Sequence, residues 1–237
     1  MRRKTQFAAG LLASMLLGTT SSHAGQISFN GLTVGGGGGY ADVPVQSFEG
    51  LKFATTFKQK YDFSCGSAAL ATLLVYTYHQ PATESSVFID MYTNGDQQAI
   101  RQSGFSLLDM KEYLSRHGIP SGGFRAPLEK IAEVRIPAIV LINEHGYKHF
   151  VVLRGIQNGQ VLISDPAIGL RTESVGEFQK QWSGIFFIVL SDLPAARTSF
   201  NDHKDWAGEP GAPIDLSRFM VNLATLQQVT MPNPSRF

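Results

Sequence analysis

Asn158-Gly159 separates two runs of strand-forming residues, 150–156 (FVVLRGI) and 160–164 (QVLIS). That dipeptide suits the two left-handed positions of a type I′ turn, so between such runs it predicts an antiparallel hairpin. Further short runs rich in Val, Ile and Phe occupy residues 138–142 and 185–190. Before Pro137 the pattern is helical. Helices first and an antiparallel sheet after is the order of an α+β fold.

Four helices are predicted before Pro137. Residues 67–78 are dominated by small and apolar side chains and read as a buried helix that ends before Pro81. Residues 85–92 form a second, shorter candidate. Residues 106–117 are the best marked: Ser106 caps, Asp109 stands three residues on, Leu107, Met110 and Leu114 share a face, and Gly118 ends the helix. Residues 128–133 add a further turn or two. Residues 178–182 are expected to cover the sheet. Beyond Leu193 the chain carries Pro194, Pro210, Gly211 and Pro213, then an apolar stretch at 216–226, which reads as a tail with one packed helix.

The N-terminus reads as an export signal. Arg2, Arg3 and Lys4 precede an apolar run over 7–17, and Ser22-His23-Ala24 offers small residues at the two positions a signal peptidase reads, so the cut is placed after Ala24. The run is shorter than the ~20 residues a spanning helix needs. The expected organisation is a signal peptide at 1–24, a flexible glycine-rich lead-in at 25–50, a folded domain at 51–193 and a C-terminal tail at 194–237. A net charge of +1, with lysines and arginines scattered, leaves no footprint for nucleic acid or an anionic membrane. The expected location is the exported side of the membrane.

An exported chain normally uses cysteines in pairs, and this one has a single cysteine, Cys65. Gly66, Ser67, Ala68 and Ala69 follow it and open a helix, so the sulfur is expected at a helix N-terminus, where unpaired N–H groups and the positive dipole end stabilise a thiolate. The small neighbours are expected to leave room for a substrate backbone. A nucleophile needs a base, and the base needs a group that holds its tautomer. His149 begins the first strand of the hairpin and Asp165 ends the second. His149 stands nine residues before Asn158 and Asp165 six after Gly159, so the offsets differ by three. A regular hairpin does not set them opposite each other; a bulge or a splayed end is required. Gln59, six residues before Cys65, can donate its side-chain amide to an oxyanion beside the Cys65 N–H.

The pattern Q-x5-C-G-x-x-A, then H-F-V-V, then D-P, resembles peptidase family C39, papain-like cysteine peptidases that remove double-glycine leader peptides. The resemblance covers residues 57–190. It implies a papain-like fold, Cys65 as nucleophile, His149 as general base, Asp165 as the residue orienting the imidazole and Gln59 in the oxyanion hole. It implies no cofactor and no metal. Most members form the N-terminal domain of an ABC exporter. A signal peptide in place of an exporter is most similar to the periplasmic C39-like peptidases of the functional-amyloid (Fap) export systems of pseudomonads. The partners implied are a glycine-rich protein or peptide substrate and components of secretion or amyloid assembly.

Other readings compete. The thiol of an arbitrary Cys65 is a buried, inert one, and Asp165 before a proline is a turn former. A non-catalytic module that holds glycine-rich export clients in the same groove is the alternative of a different class, and acyl transfer to an amine is a third. His145 and His149 are four apart, but Gly146 between them marks a loop rather than the helix that would join them on zinc. His117 reads as structural, Asp62 as a turn former, and His79 and His203 carry no pattern. Val34 before the five glycines at 35–39 resembles a leader end with a Gly-Gly cut after Gly37, so that the segment is either cut by the enzyme itself or occupies its groove as an inhibitor, against the simpler reading of a flexible tether.

Overall fold

The computed structural model describes residues 25–28, 42–45, 47–144 and 146–207. The expected signal peptide at 1–24, the five glycines at 35–39, His145 and the apolar stretch at 216–226 lie outside the described residues. The chain divides into two units, Met1–Ser47 and Phe48–Phe237. In the first, β1 (Gly25–Ser28) pairs antiparallel with β2 (Asp42–Val45), Gly25 opposite Val45.

The second unit opens with a short helix, α1 (Phe48–Lys52), and then the central one, α2 (Cys65–Tyr78). α2 contains no charged residue and is buried on nearly every side, the behaviour of a helix apolar all round. Its small residues go to packing rather than to substrate space. A Cβ on Gly66 would stand 2.9 Å from both Met110 Cε and Phe105 Cβ, and Ala68 and Ala69 are fully buried. α3 (Glu84–Asn94) starts from a Thr83/Ser86 capping box. α4 (Gln97–Ser103) starts from Asp96, whose carboxylate accepts from Gln98 and Ala99 N–H. α5 (Leu107–Arg116) has the Ser106/Asp109 capping box that the sequence predicts, with Met110 and Leu114 buried. α6 (Leu128–Val134) follows the edge strand β3 (Ser121–Arg125).

The sheet adds β4 (Ala138–Glu144), β5 (Tyr147–Gln157), β6 (Gln160–Asp165), β7 (Gly169–Ser174) and β8 (Trp182–Val189). All neighbours are antiparallel, in the order β3-β8-β4-β5-β6-β7. Asn158 (φ 51°) and Gly159 (φ 74°) make the expected tight turn, with Gln157 opposite Gln160. β5 is buried at every residue from His149 to Gly155, so both faces of the sheet centre are covered. α7 (Val175–Gln181) packs on β4, β6, β7 and β8 and buries Phe178 completely against Trp182. Phe178→Ala is expected to cost about 3–5 kcal/mol. Urea unfolding reads this as a lower midpoint at unchanged slope.

Of the two irregularities that the offsets allow, a bulge or a splayed end, the hairpin carries a bulge. Leu153 faces Ile163 and Gly155 faces Leu162, which leaves Arg154 without a partner on β6. Beyond the bulge, Val152 faces Ser164. Carried on to the strand end, this register sets Asp165 opposite Val151, two residues from His149. Side chains two apart share a face. Without the bulge, Asp165 would face Val152, and the two side chains would lie on opposite faces of the sheet.

The packed unit continues past residue 193 with α8 (Leu193–Ser199) and α9 (His203–Ala207). Pro194, read in the sequence as the start of a tail, stands in the first turn of α8, where its missing N–H and fixed φ do no harm. Ala196 and Phe200 are buried in the core.

Candidate active site

Cys65 is the first residue of α2 and is 6% exposed. The loop before it is tied by Ser64, whose hydroxyl accepts from the N–H groups of Lys60 and Tyr61 and donates to the Tyr61 carbonyl. Its other end is fastened to the hairpin: Gln59 N–H donates to the carbonyl of Pro166 at 2.9 Å. Gln59 and Cys65 are thereby held beside the end of β6, where Asp165 lies.

His149 and Asp165 meet inside the protein, each side chain 3% exposed. His149 Nε2 stands 2.8 Å from Asp165 Oδ1. An ionised carboxylate only accepts, so the proton is on Nε2 and the Nδ1 lone pair is free in the neutral ring. Nδ1 is buried and makes no hydrogen bond among the described residues, while the Cys65 thiol lies near enough to act on the ring. Burial alone would lower the His149 pKa. The bond to Asp165, the neighbouring thiol and the charges of both outweigh it and push the pKa up to about 9. Burial likewise works to raise Asp165, but the bond and charge of His149, the Ala167 N–H and Arg171 hold it below the ordinary carboxylate value.

Two residues here escape sequence reasoning. Arg171 Nε donates to the second oxygen of Asp165, Oδ2, at 3.2 Å, while Nη2 pairs with Glu144 at 2.7 Å and Nη1 with Glu173 at 3.0 Å. It belongs to β7, a strand the hydrophobic pattern does not mark. Asp165 faces Gly169, which has no side chain, so Arg171 can reach across diagonally. Arg171→Met is expected to lower kcat about tenfold with little change in KM, since it frees one carboxylate oxygen and leaves the substrate surface alone. Steady-state kinetics per titrated thiol checks this. The second is Tyr147, half exposed, whose ring stacks on His149 at 5.7 Å. Its hydroxyl donates to the Asp62 carbonyl at 3.0 Å and lies within reach of the Gln59 side chain. Asp62 thus enters through its backbone. His117 stacks on Tyr113 at 4.2 Å, and His79 closes α2 in the left-handed conformation.

Residues 54–192 match the peptidase C39 family. The chain belongs to that family. A relative from Pseudomonas aeruginosa, named "Probable functional amyloid protease FapD", is 41% identical over 180 residues, covering 76% of this chain and 78% of the relative. A protein of the same name from Pseudomonas fluorescens is 38% identical over 192 residues, 81% of each chain. Among solved structures, the peptidase domain of Streptococcus ComA, a bi-functional ABC transporter, superposes with a TM-score of 0.50 at 22% identity, covering 58% of this chain and 98% of that one. The fold is the α+β, papain-like fold of C39 peptidase domains, and the protein is a cysteine peptidase of this family. No helix among the described residues is long and apolar enough to cross a membrane.

Proposed function

We propose that the protein is a periplasmic endopeptidase that cuts after small residues of the Gly-Gly type in an exported, glycine-rich protein, in the service of functional-amyloid assembly. The observation that carries this reading is the buried His149 ring, bonded through Nε2 to Asp165, its Nδ1 without a hydrogen bond among the described residues and the Cys65 thiol close enough to act on it.

In this reading Cys65 attacks the substrate carbonyl as a thiolate, stabilised by the N-terminus of α2 and by the His149 imidazolium. The C–S bond forms as the carbonyl π pair moves to oxygen, and the oxyanion is met by the Gln59 amide and the Cys65 N–H. His149 gives its proton to the leaving amine as the C–N bond breaks. A water then loses a proton to His149 and attacks the thioester, releasing the carboxylate and restoring the sulfur. Asp165 keeps the ring in the one tautomer that permits both steps.

The preference for glycine is supported by how little of Cys65 is exposed and by Tyr147 standing over the ring, which together leave space for a backbone without side chains. Beside the Gln59–Cys65 loop a cavity of about 160 Å³, lined by Lys60, Tyr61, Glu84, Ser85, Phe88 and Ile89, offers apolar surface to the residues upstream. The names of the two Pseudomonas relatives support the link to amyloid assembly. The test is incubation of the full chain with paired peptides, one carrying Gly-Gly and the other Val-Val at the same place, with products identified by mass. Cleavage after the second glycine and an intact partner peptide are expected. Equal cutting of both, or of neither, overturns the specificity. N-terminal sequencing of wild type beside Cys65→Ala after long incubation tests the cut after Gly37 separately: a new end in wild type alone is expected of self-processing, and identical ends in both remove it.

A further inference from the structure

The bulge at Arg154 decides whether His149 and Asp165 share a face, and it is held by residues that the family match, ending at residue 192, does not include. β4 stops opposite Leu153, so β5 runs on with that edge unpaired. Asn201 takes over the edge. Its backbone N–H donates to the Arg154 carbonyl at 3.0 Å and its side-chain amide to the Ile156 carbonyl at 3.0 Å. Asn201 sits in the left-handed region (φ 62°), which asparagine tolerates better than most residues. The side chain of the bulged residue is fixed as well. Arg154, 3% exposed, donates through Nη1 to the Thr55 carbonyl at 3.0 Å, and its Nη2 lies 2.7 Å from Asp205 Oδ2, an ion pair without hydrogen-bond alignment. Asp205 Oδ1 in turn accepts from the Thr55 hydroxyl at 3.0 Å. Gly155 completes the fit: a Cβ there would fall 2.1 Å from Asn201 Oδ1 and 3.2 Å from Trp206 Nε1.

A bulge leaves one residue unpaired and a ladder locally broken, so it persists only where something else satisfies the freed groups. Here the carbonyls of Arg154 and Ile156 are met by Asn201, and the Arg154 guanidinium by the Thr55 carbonyl and the charge of Asp205. We propose that the segment 201–206 is a register clamp, with Asn201, Asp205 and Arg154 as positioning residues that hold the bulge and so keep His149 and Asp165 on one face. The inference rests on the catalytic reading above. It assigns the C-terminal helices a part in the reaction that none of their side chains touches.

Gly155→Ala in the full chain tests it, because an extended backbone accepts alanine and the atoms nearest the new methyl group all belong to Asn201 and Trp206. Three quantities are read: the His149 ring-proton titration by NMR, kcat and KM on the Gly-Gly peptide per titrated thiol, and the thermal midpoint. A working clamp predicts a His149 midpoint displaced from about 9 toward 6.5, kcat lower by about tenfold or more, and KM unchanged. A lower thermal midpoint with the His149 titration and kcat unchanged overturns the proposal and leaves the segment a stabilising brace. Should Gly155→Ala not fold, Asn201→Gly decides by the same criteria, since it retains the bond to Arg154 and removes only the amide on Ile156. The NMR titration needs no turnover. If the wild type cuts neither peptide while the clamp variants still shift His149, the proposed substrate fails and the clamp stands.

Discussion

Cys65→Ala is expected to abolish peptide-bond cleavage, by a factor on the order of 10⁴ or more, and to leave the protein folded. Cys65 is the chain's only cysteine, so no neighbouring thiol can take over. The substitution is mild for the fold. Alanine is the best helix former, the position is the first of α2, and what is removed is one sulfur from a packed but not sealed site. His149 loses the thiol's share of its raised pKa but keeps Asp165, so the buried dyad remains paired. Circular dichroism and the thermal midpoint should match the wild type while mass spectrometry finds the Gly-Gly peptide intact. Labelling with a thiol-directed peptide analogue separates the enzyme from a peptide-holding module. Fast, pH-dependent modification of Cys65 belongs to a nucleophile, and the rate of an ordinary thiol to a binder. Cleavage within tenfold of wild type would remove Cys65 from the chemistry.

What the sequence discloses follows its local signals. Asn158-Gly159 announces the hairpin, Ser106 and Asp109 announce α5, and the uncharged run after Cys65 announces a buried helix, because in each case the deciding interaction lies within a few residues. β3 is hidden by its composition, since Ser121-Gly122-Gly123 has neither β-branched residues nor alternation and becomes a strand only by pairing with β8. α4 buries a single apolar residue, Ile100, and so shows no periodicity. Pro194 reads as a stop when it is a start. The site shows the same division. The hairpin offsets call for a bulge or a splayed end between His149 and Asp165 but say neither which nor where it lies. That depends on Asn201 and Asp205, which contact Arg154 only after the chain has crossed the rest of the sheet. Arg171 is invisible for a related reason: its value lies in three carboxylates contributed by β4, β6 and β7, and no spacing along the chain records such a meeting.

His149→Ala is expected to lose cleavage as completely as Cys65→Ala and, unlike it, to change how stability depends on pH. The folded pKa of about 9 lies above the ordinary 6.5. A raised pKa means the folded state binds the proton more tightly, so the stabilisation is complete below about 6.5 and fades as pH rises through about 9, and its full size is on the order of 3 kcal/mol. Asp165 acts with the opposite sign. Its depressed pKa contributes stability that is lost as pH falls through the folded value, so the dyad is most secure between the two limits. Urea unfolding of wild type and variant at pH 6, 7.5 and 9.5 should show a difference that is largest at pH 6 and shrinks toward pH 9.5. The variant itself should remain folded throughout, because Asp165 Oδ1 retains the Ala167 N–H and Oδ2 retains Arg171. Wild-type activity should decline over the same alkaline range, since the leaving amine is then without its proton donor. A stability difference that is flat or grows with pH would mean that the ring titrates as an ordinary histidine, and both the ion pair and the acid step built on it would have to be given up.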